Sequence, residues 1–190
     1  APGLSAWDEE QIIEISDPDL AMDPGITDGT FSPGLDLRMF GSKASIDAID
    51  YVTDTIVIGG DTSPSITLLE GDVLIAIDNN ETLTSNNSLA VTWKDVFVFR
   101  PDVAGDYSNG TFIMLLDNPV GSDIESITLV ERDTVVGDTT LQKGTFLFTS
   151  GGHQIRIFSA DDVGSGTPIG RDLPLIECGG INLSEDNYCL

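Results

Sequence analysis

Positive charge is scarce in this chain. Eight Lys and Arg stand against 32 Asp and Glu in 190 residues, a formal net charge of −24. Eight scattered cations cannot neutralise a phosphate backbone, so nucleic acid is not an expected partner. The same shortage argues against anionic membrane surfaces. Only one histidine is present, His153, and there is no G-x-S-x-G turn to raise a serine nucleophile. Gly59-Gly60 and Gly179-Gly180 lack the Lys-Ser/Thr that completes a phosphate-cradling loop. With 32 acids, some carboxylate pair always falls at a spacing suited to glycoside cleavage, so their abundance carries no signal. No catalytic residue is therefore assigned, and no enzyme is expected. Apolar runs never approach the roughly 20 residues that span a bilayer. No 11-residue window holds a 3.6-residue apolar period, so almost no helix is expected.

The residues that are present follow β-strand grammar. Ile46-Asp47-Ala48-Ile49, Thr55 to Gly60, Leu68 to Asp78, Asp95 to Arg100 and Gly110 to Asp117 are short runs rich in Val, Ile and Phe. Gly, Asp, Asn and Pro cut them apart. Val73 to Ile77 and Val96 to Phe99 are apolar at every position, which expects burial on both faces. Phe31 to Phe40 alternates Leu35, Leu37 and Met39 and reads as a further strand. Residues 78 to 88 read as a long polar connection.

These strands are written twice. Ile46-Asp47-Ala48-Ile49 and Val57-Ile58-Gly59 return as Ile124-Glu125-Ser126-Ile127 and Val135-Val136-Gly137, 78 residues on. Thr67-Leu68 and Gly71-Asp72-Val73-Leu74-Ile75 return as Thr140-Leu141 and Gly144-Thr145-Phe146-Leu147-Phe148, 73 residues on. Val96-Phe97-Val98-Phe99 then meets Ile155-Arg156-Ile157-Phe158. The length changes fall in Asn/Ser/Gly-rich loops, where insertions are tolerated. The expected fold is all-β, an antiparallel sandwich-like architecture of two tandem repeats with an extended N-terminal tail. The expected bounds are a tail over 1–30, a β-domain over 31–177 with repeats at about 35–117 and 118–176, and a closing loop over 178–190.

Both cysteines, Cys178 and Cys189, sit in that closing loop. A disulfide between them would staple an end with little core of its own, and it would place the chain outside the cell or on its surface. A start at Ala1 fits a mature chain after leader removal, although a trimmed chain would look the same. Asn80, Asn86, Asn109 and Asn182 each open an N-x-S/T acceptor for a glycan. No cofactor is expected apart from calcium, for which Asp17, Asp19 and Asp23 are the candidate ligands. Asp78 to Glu81 and Asp161 with Asp162 are lesser acidic groups, and ordinary Asx turns account for all three equally well. In the tail, Ile12, Ile13 and Ile15 form one apolar strand that could pair with a neighbouring copy, anchored by Trp7. Packing on its own domain is the alternative.

The motifs I-D-A-I, G-D-V-L-I, D-V-F-V-F-R-P-D-V-A-G and G-T-F-I-M-L-L-D resemble tandem repeats of large secreted bacterial proteins, over about Leu35 to Ile176. That resemblance implies an extracellular, non-catalytic, modular role and supplies no active-site residues. The expected function is a structural subunit that assembles with copies of itself into an extracellular filament or surface layer. A carbohydrate-binding or adhesin module is the alternative. Trp7, Trp93, Tyr51, Tyr107 and Tyr188 would then offer stacking faces to glycans.

Overall fold

The computed structural model describes residues 8–16, 30–60, 65–137, 139–149, 155–160 and 170–174. It is all-β, with the described strands arranged in several antiparallel sheets. In chain order, β1 (Gln11–Ser16) and β2 (Thr30–Asp36) are followed by a 3-10 helix, Leu37–Phe40. Next come β3 (Ile46–Tyr51), β4 (Ile56–Gly59), β5 (Ser65–Leu68) and β6 (Val73–Ile77). Then come β7 (Glu81–Thr84), β8 (Ser88–Val91), β9 (Val96–Val103) and β10 (Asp106–Leu116). The second half holds β11 (Ser126–Leu129), β12 (Thr134–Val136), β13 (Thr139–Leu141), β14 (Thr145–Thr149), β15 (Ile155–Ala160) and β16 (Gly170–Pro174).

Two four-stranded sheets carry the molecule, in the orders β10-β9-β6-β3 and β11-β14-β15-β16. Strands β6 and β9 lie centrally in the first, and Val73 to Ile77 and Val96 to Phe99 are buried at every position, as their composition expects. Alternation then sends their side chains into two separate cores. Leu74, Ala76, Val96 and Val98 join Ile127, Leu129, Phe146, Phe148 and Phe158 of the second sheet, with Ile56, Ile58 and Leu68 from hairpin β4–β5. Val73, Ile75, Ile77, Phe97 and Phe99 face the other way, onto Leu35, Leu37, Phe40, Leu83, Val91 and Phe112. The first sheet is thus the middle of three layers.

The offsets read from the sequence carry the pairings of the first sheet onto those of the second. Ile49 faces Ile75 as Ile127 faces Phe148. Val73 faces Phe99 as Phe146 faces Phe158. In the small hairpins, Val57 faces Thr67 as Val135 faces Thr140. Even the turns correspond, since the Gly71 amide donates to the Val52 carbonyl and the Gly144 amide to that of Val130. Both glycines have positive φ, 95° and 89°.

Two expectations need correction. The strand from Phe31 does not reach Phe40; it ends at Asp36, whose side chain accepts the Arg38 amide at 3.0 Å and caps the 3-10 helix. In that helix residues three apart share a face, so Leu37 and Phe40 are buried while Met39 is 61% exposed. Gly41, at φ 96°, ends the turn. The polar connection at 78–88 is also more structured than expected. It contains hairpin β7–β8, which buries Leu83 and Val91 over the Phe97 and Phe99 face.

In the tail, the strand expected at Ile12 to Ile15 is β1. It pairs antiparallel with β2 of the same chain, Ile13 opposite Pro33 and Ile15 opposite Phe31.

Candidate functional site

Among the described strands, β3 is an edge of the first sheet and pairs only with β6. Ile49 and Tyr51 are two residues apart and therefore share a face, the one away from the second sheet. Ribbon β1–β2 stands beside them and does not cover them. The result is a groove of about 370 Å³ lined by Ile12, Ile13, Leu35, Ile49, Tyr51 and Tyr107, with Gly34, Val73 and Gly105. Ile49 remains 42% and Tyr51 44% exposed. The lining carries no carboxylate, amine or imidazole. Such a surface holds apolar side chains or stacks against a flat apolar face, and its polar side-chain groups are the hydroxyls of Tyr51 and Tyr107.

Between Ile49 and Tyr51, Asp50 points the opposite way, into the joint between the two sheets. Its carboxylate accepts the Leu129 amide at 2.6 Å and the Tyr51 amide at 3.0 Å. Glu131 crosses the same joint in return, accepting the Thr53 amide at 2.5 Å and the Thr53 hydroxyl. Burial holds the Asp50 carboxyl above the usual carboxylate range, with nearby Glu131 pushing the same way and the two amide bonds opposing. A carboxyl raised in the folded chain contributes stability that is complete below its unfolded pKa and is lost as pH rises through the folded one. Asp50→Asn removes the charge and keeps one oxygen in place of the two that separately accept the Leu129 and Tyr51 amides, so one of these bonds is lost at every pH. Its melting temperature relative to the parent should therefore rise from pH 3 to pH 7 in a thermal series; a gap that is constant across the series would contradict this account.

The first sheet also holds two buried carboxylates. Asp72 receives the Arg100 guanidinium through Nε at 2.8 Å and one NH2 at 2.6 Å, and accepts the Leu69 amide at 2.8 Å. Asp95 accepts the Thr92 amide and hydroxyl and the Asn118 amide, at 2.7, 2.9 and 2.9 Å. Both are fully partnered turn-builders at strand starts, which is the structural use of such groups.

The glycan acceptors fall into different settings. Asn80 is exposed in the turn before β7. Asn86 and Asn109 come together: both amide nitrogens donate to Asp102, and Asn109 also donates to Asn86. For calcium, Asp78 accepts the Ser45 amide and Glu81 the Lys43 amide, and among the described residues no group of three metal-ligating side chains gathers. Trp93 is half-buried with the Lys94 ammonium 4.5 Å over its ring. Trp7, Asp17, Asp19, Asp23, His153, Asp161, Asp162, Cys178, Asn182, Tyr188 and Cys189 lie outside the described residues.

Sequence reading missed the groove as a site. The sequence is reason to expect an interface strand at Ile12 and Ile13 and stacking faces at Tyr51 and Tyr107, but nothing local links 12, 35, 49 and 107. Among the described residues no helix is long and apolar enough to cross a membrane. Comparison with family models, curated proteins and solved structures returns no match.

Proposed function

We propose that this chain is a secreted structural subunit that assembles with copies of itself into an extracellular filament or surface layer. The observation that carries this reading is uncovered apolar surface at two separate places. One is the groove at Ile49 and Tyr51; the other is hairpin β12–β13, where Val135 is 73% and Val136 43% exposed. Apolar clusters that stay open on a folded unit mark sites of association. The matching strand registers of the two sheets support a duplicated, modular chain, in keeping with its resemblance to secreted tandem repeats. The Cys178–Cys189 disulfide belongs to the same reading.

The N-terminal tail takes part by exchange. The β1–β2 pairing joins two segments separated only by residues 17–29, and the same register can be made between copies, as in domain swapping. Removing residues 1–24 should abolish assembly and leave the circular dichroism of the β-domain in place. With a net charge of −24, assembly should need moderate salt to screen self-repulsion. Sedimentation at rising salt, with and without EDTA, is the test. Large regular assemblies are expected, and their loss in EDTA would put a divalent cation at the contacts. A monomer at every salt concentration would overturn the reading.

A glycan-binding module is the second reading, favoured by one observation: Tyr51 and Tyr107 both line the groove, and aromatic faces stack on sugar rings. It calls for binding on a glycan array that Tyr51→Ala abolishes.

A further inference from the structure

One contact inside this chain is made once, and its counterpart is left unmade. Hairpin β4–β5 lays Ile56, Ile58 and Leu68 on the second sheet, where they share a core with Ile127, Leu129 and Phe146. The Ile58 Cδ1 lies 3.5 Å from where a Cβ on Gly144 would stand. Ile127 and Leu129 are only 4% and 5% exposed.

The offset of 78 carries hairpin strand β4 onto β12, and the groove residues Ile49 and Tyr51 onto Ile127 and Leu129. The offset of 73 carries β5 onto β13, Val73 onto Phe146 and Gly71 onto Gly144. On the hairpin, Ile58 maps onto the exposed Val136, Ile56 onto Thr134, and Leu68 onto Leu141, which is already buried, so Val136 is the apolar residue left open to make the counterpart contact. Val136, in the place of Ile58, is 43% exposed where Ile58 is 1%. Ile49 and Tyr51 are 42% and 44% exposed where their counterparts are buried. Gly71 flanks the groove as Gly144 flanks the occupied site, its nearest side-chain neighbour being the Tyr51 hydroxyl, 3.7 Å from where a Cβ would stand. Charge points the same way. Thr134-Val135-Val136 and Thr139-Thr140-Leu141 contain no ionisable residue, with Asp138 between them in the chain, and the groove lining contains no Asp, Glu, Lys, Arg or His. In a chain of net charge −24, strands and groove that carry no charge of their own meet with little like-charge repulsion.

We propose that hairpin β12–β13 of one copy seats in the Ile49–Tyr51 groove of the next, repeating between copies the contact that β4–β5 makes within one. The inference rests on the self-assembly reading and names its interface. Two different surfaces meet, so the contact is heterologous and generates an open filament unless its rotation closes a ring.

The test is complementation. Val136→Asp blocks the hairpin and leaves the groove; Ile49→Asp blocks the groove and leaves the hairpin. Tyr51→Asp is a second groove variant, should Ile49→Asp disturb β3. Circular dichroism and thermal melting check that each is folded. Each single variant should raise the concentration needed for assembly by about tenfold or more. An equimolar mixture of Val136→Asp with either groove variant should sediment as a two-chain complex, since one intact hairpin meets one intact groove and both outer ends are blocked. If the parent chain never assembles, the self-assembly reading fails and the interface with it. If the parent and the single variants assemble alike, self-assembly stands and this interface is wrong. Monomeric variants that give no complex on mixing would overturn the hairpin-to-groove pairing.

Discussion

Phe99→Ala is expected to lower the unfolding free energy by about 4 kcal/mol, from the range for large-to-small changes in a packed core. Phe99 sits on β9 in the middle layer, fully buried. Its ring centroid lies 5.2 Å from that of Phe40 and 5.1 Å from that of Phe112. It also spans Gly110, where an added Cβ would stand 2.7 Å from the Phe99 Cζ and 2.3 Å from the Arg100 carbonyl oxygen. The ring thus joins three parts of the chain: the 3-10 helix, β9 and β10. The backbone beneath it is pinned by β6 on one side and β10 on the other, so the space left by alanine cannot close by a strand shift. Urea unfolding of the variant against the parent measures the loss. A loss below about 1.5 kcal/mol would mean that the outer layer of β2, the 3-10 helix and β7–β8 settles into the void, and that it is softer than its burial implies.

Arg100→Ser is expected to cost about 3 kcal/mol, the low end of the range for stranding one member of a buried ion pair. The Asp72 side chain is 1% exposed, and the Arg100 side chain 29% exposed. Serine would leave Asp72 with the Leu69 amide and no cation, and would free the Thr67 carbonyl that Arg100 also holds at 2.7 Å. The second sheet supplies the control. At the same register it has Thr145 opposite Ser159, with no charge at either place. The double change Asp72→Thr with Arg100→Ser copies that solution into the first sheet. It should recover more than half of what the single change loses, because the stranded carboxylate is gone. Chemical unfolding of the parent, both single variants and the double variant closes a thermodynamic cycle. A double variant no better than Arg100→Ser would mean that the guanidinium acts through its bond to Thr67 and its packing rather than through Asp72.

Much of the middle layer was legible because its signals are local. An apolar residue at every position from Val73 to Ile77 has one structural meaning when glycine and aspartate bound the run. The matching turns before β6 and β14 were legible for a related reason: Gly71 and Gly144 both stand at positive φ, within two residues of the strand that follows. Leu35, Leu37 and Met39 misled because strict alternation is also what a strand followed by a one-turn helix can produce. The deciding signals were the Asp36 cap and Gly41, which outweigh a two-residue period over so short a stretch. Hairpin β7–β8 was hidden by composition, since Leu83 and Val91 are its only deeply buried side chains. The groove was illegible for a different reason. Its walls come from β1, β2, β3 and β10, and Ile49 differs from its buried counterpart Ile127 only in what lies above it. Exposure of that kind belongs to the assembly of layers and leaves no mark on the residue itself.

The doubly covered middle sheet also sets the order in which the molecule comes apart. A backbone amide on β6 or β9 meets solvent only when both neighbouring layers have lifted, so its release approaches global unfolding. Hairpin β12–β13, with Val135 and Val136 exposed, opens by small local fluctuations, whereas hairpin β4–β5, with Ile56, Ile58 and Leu68 in the shared core, is held until that core loosens. The opening spectrum of this protein therefore runs from β12–β13 inward, and the β6–β9 pair keeps time for the whole.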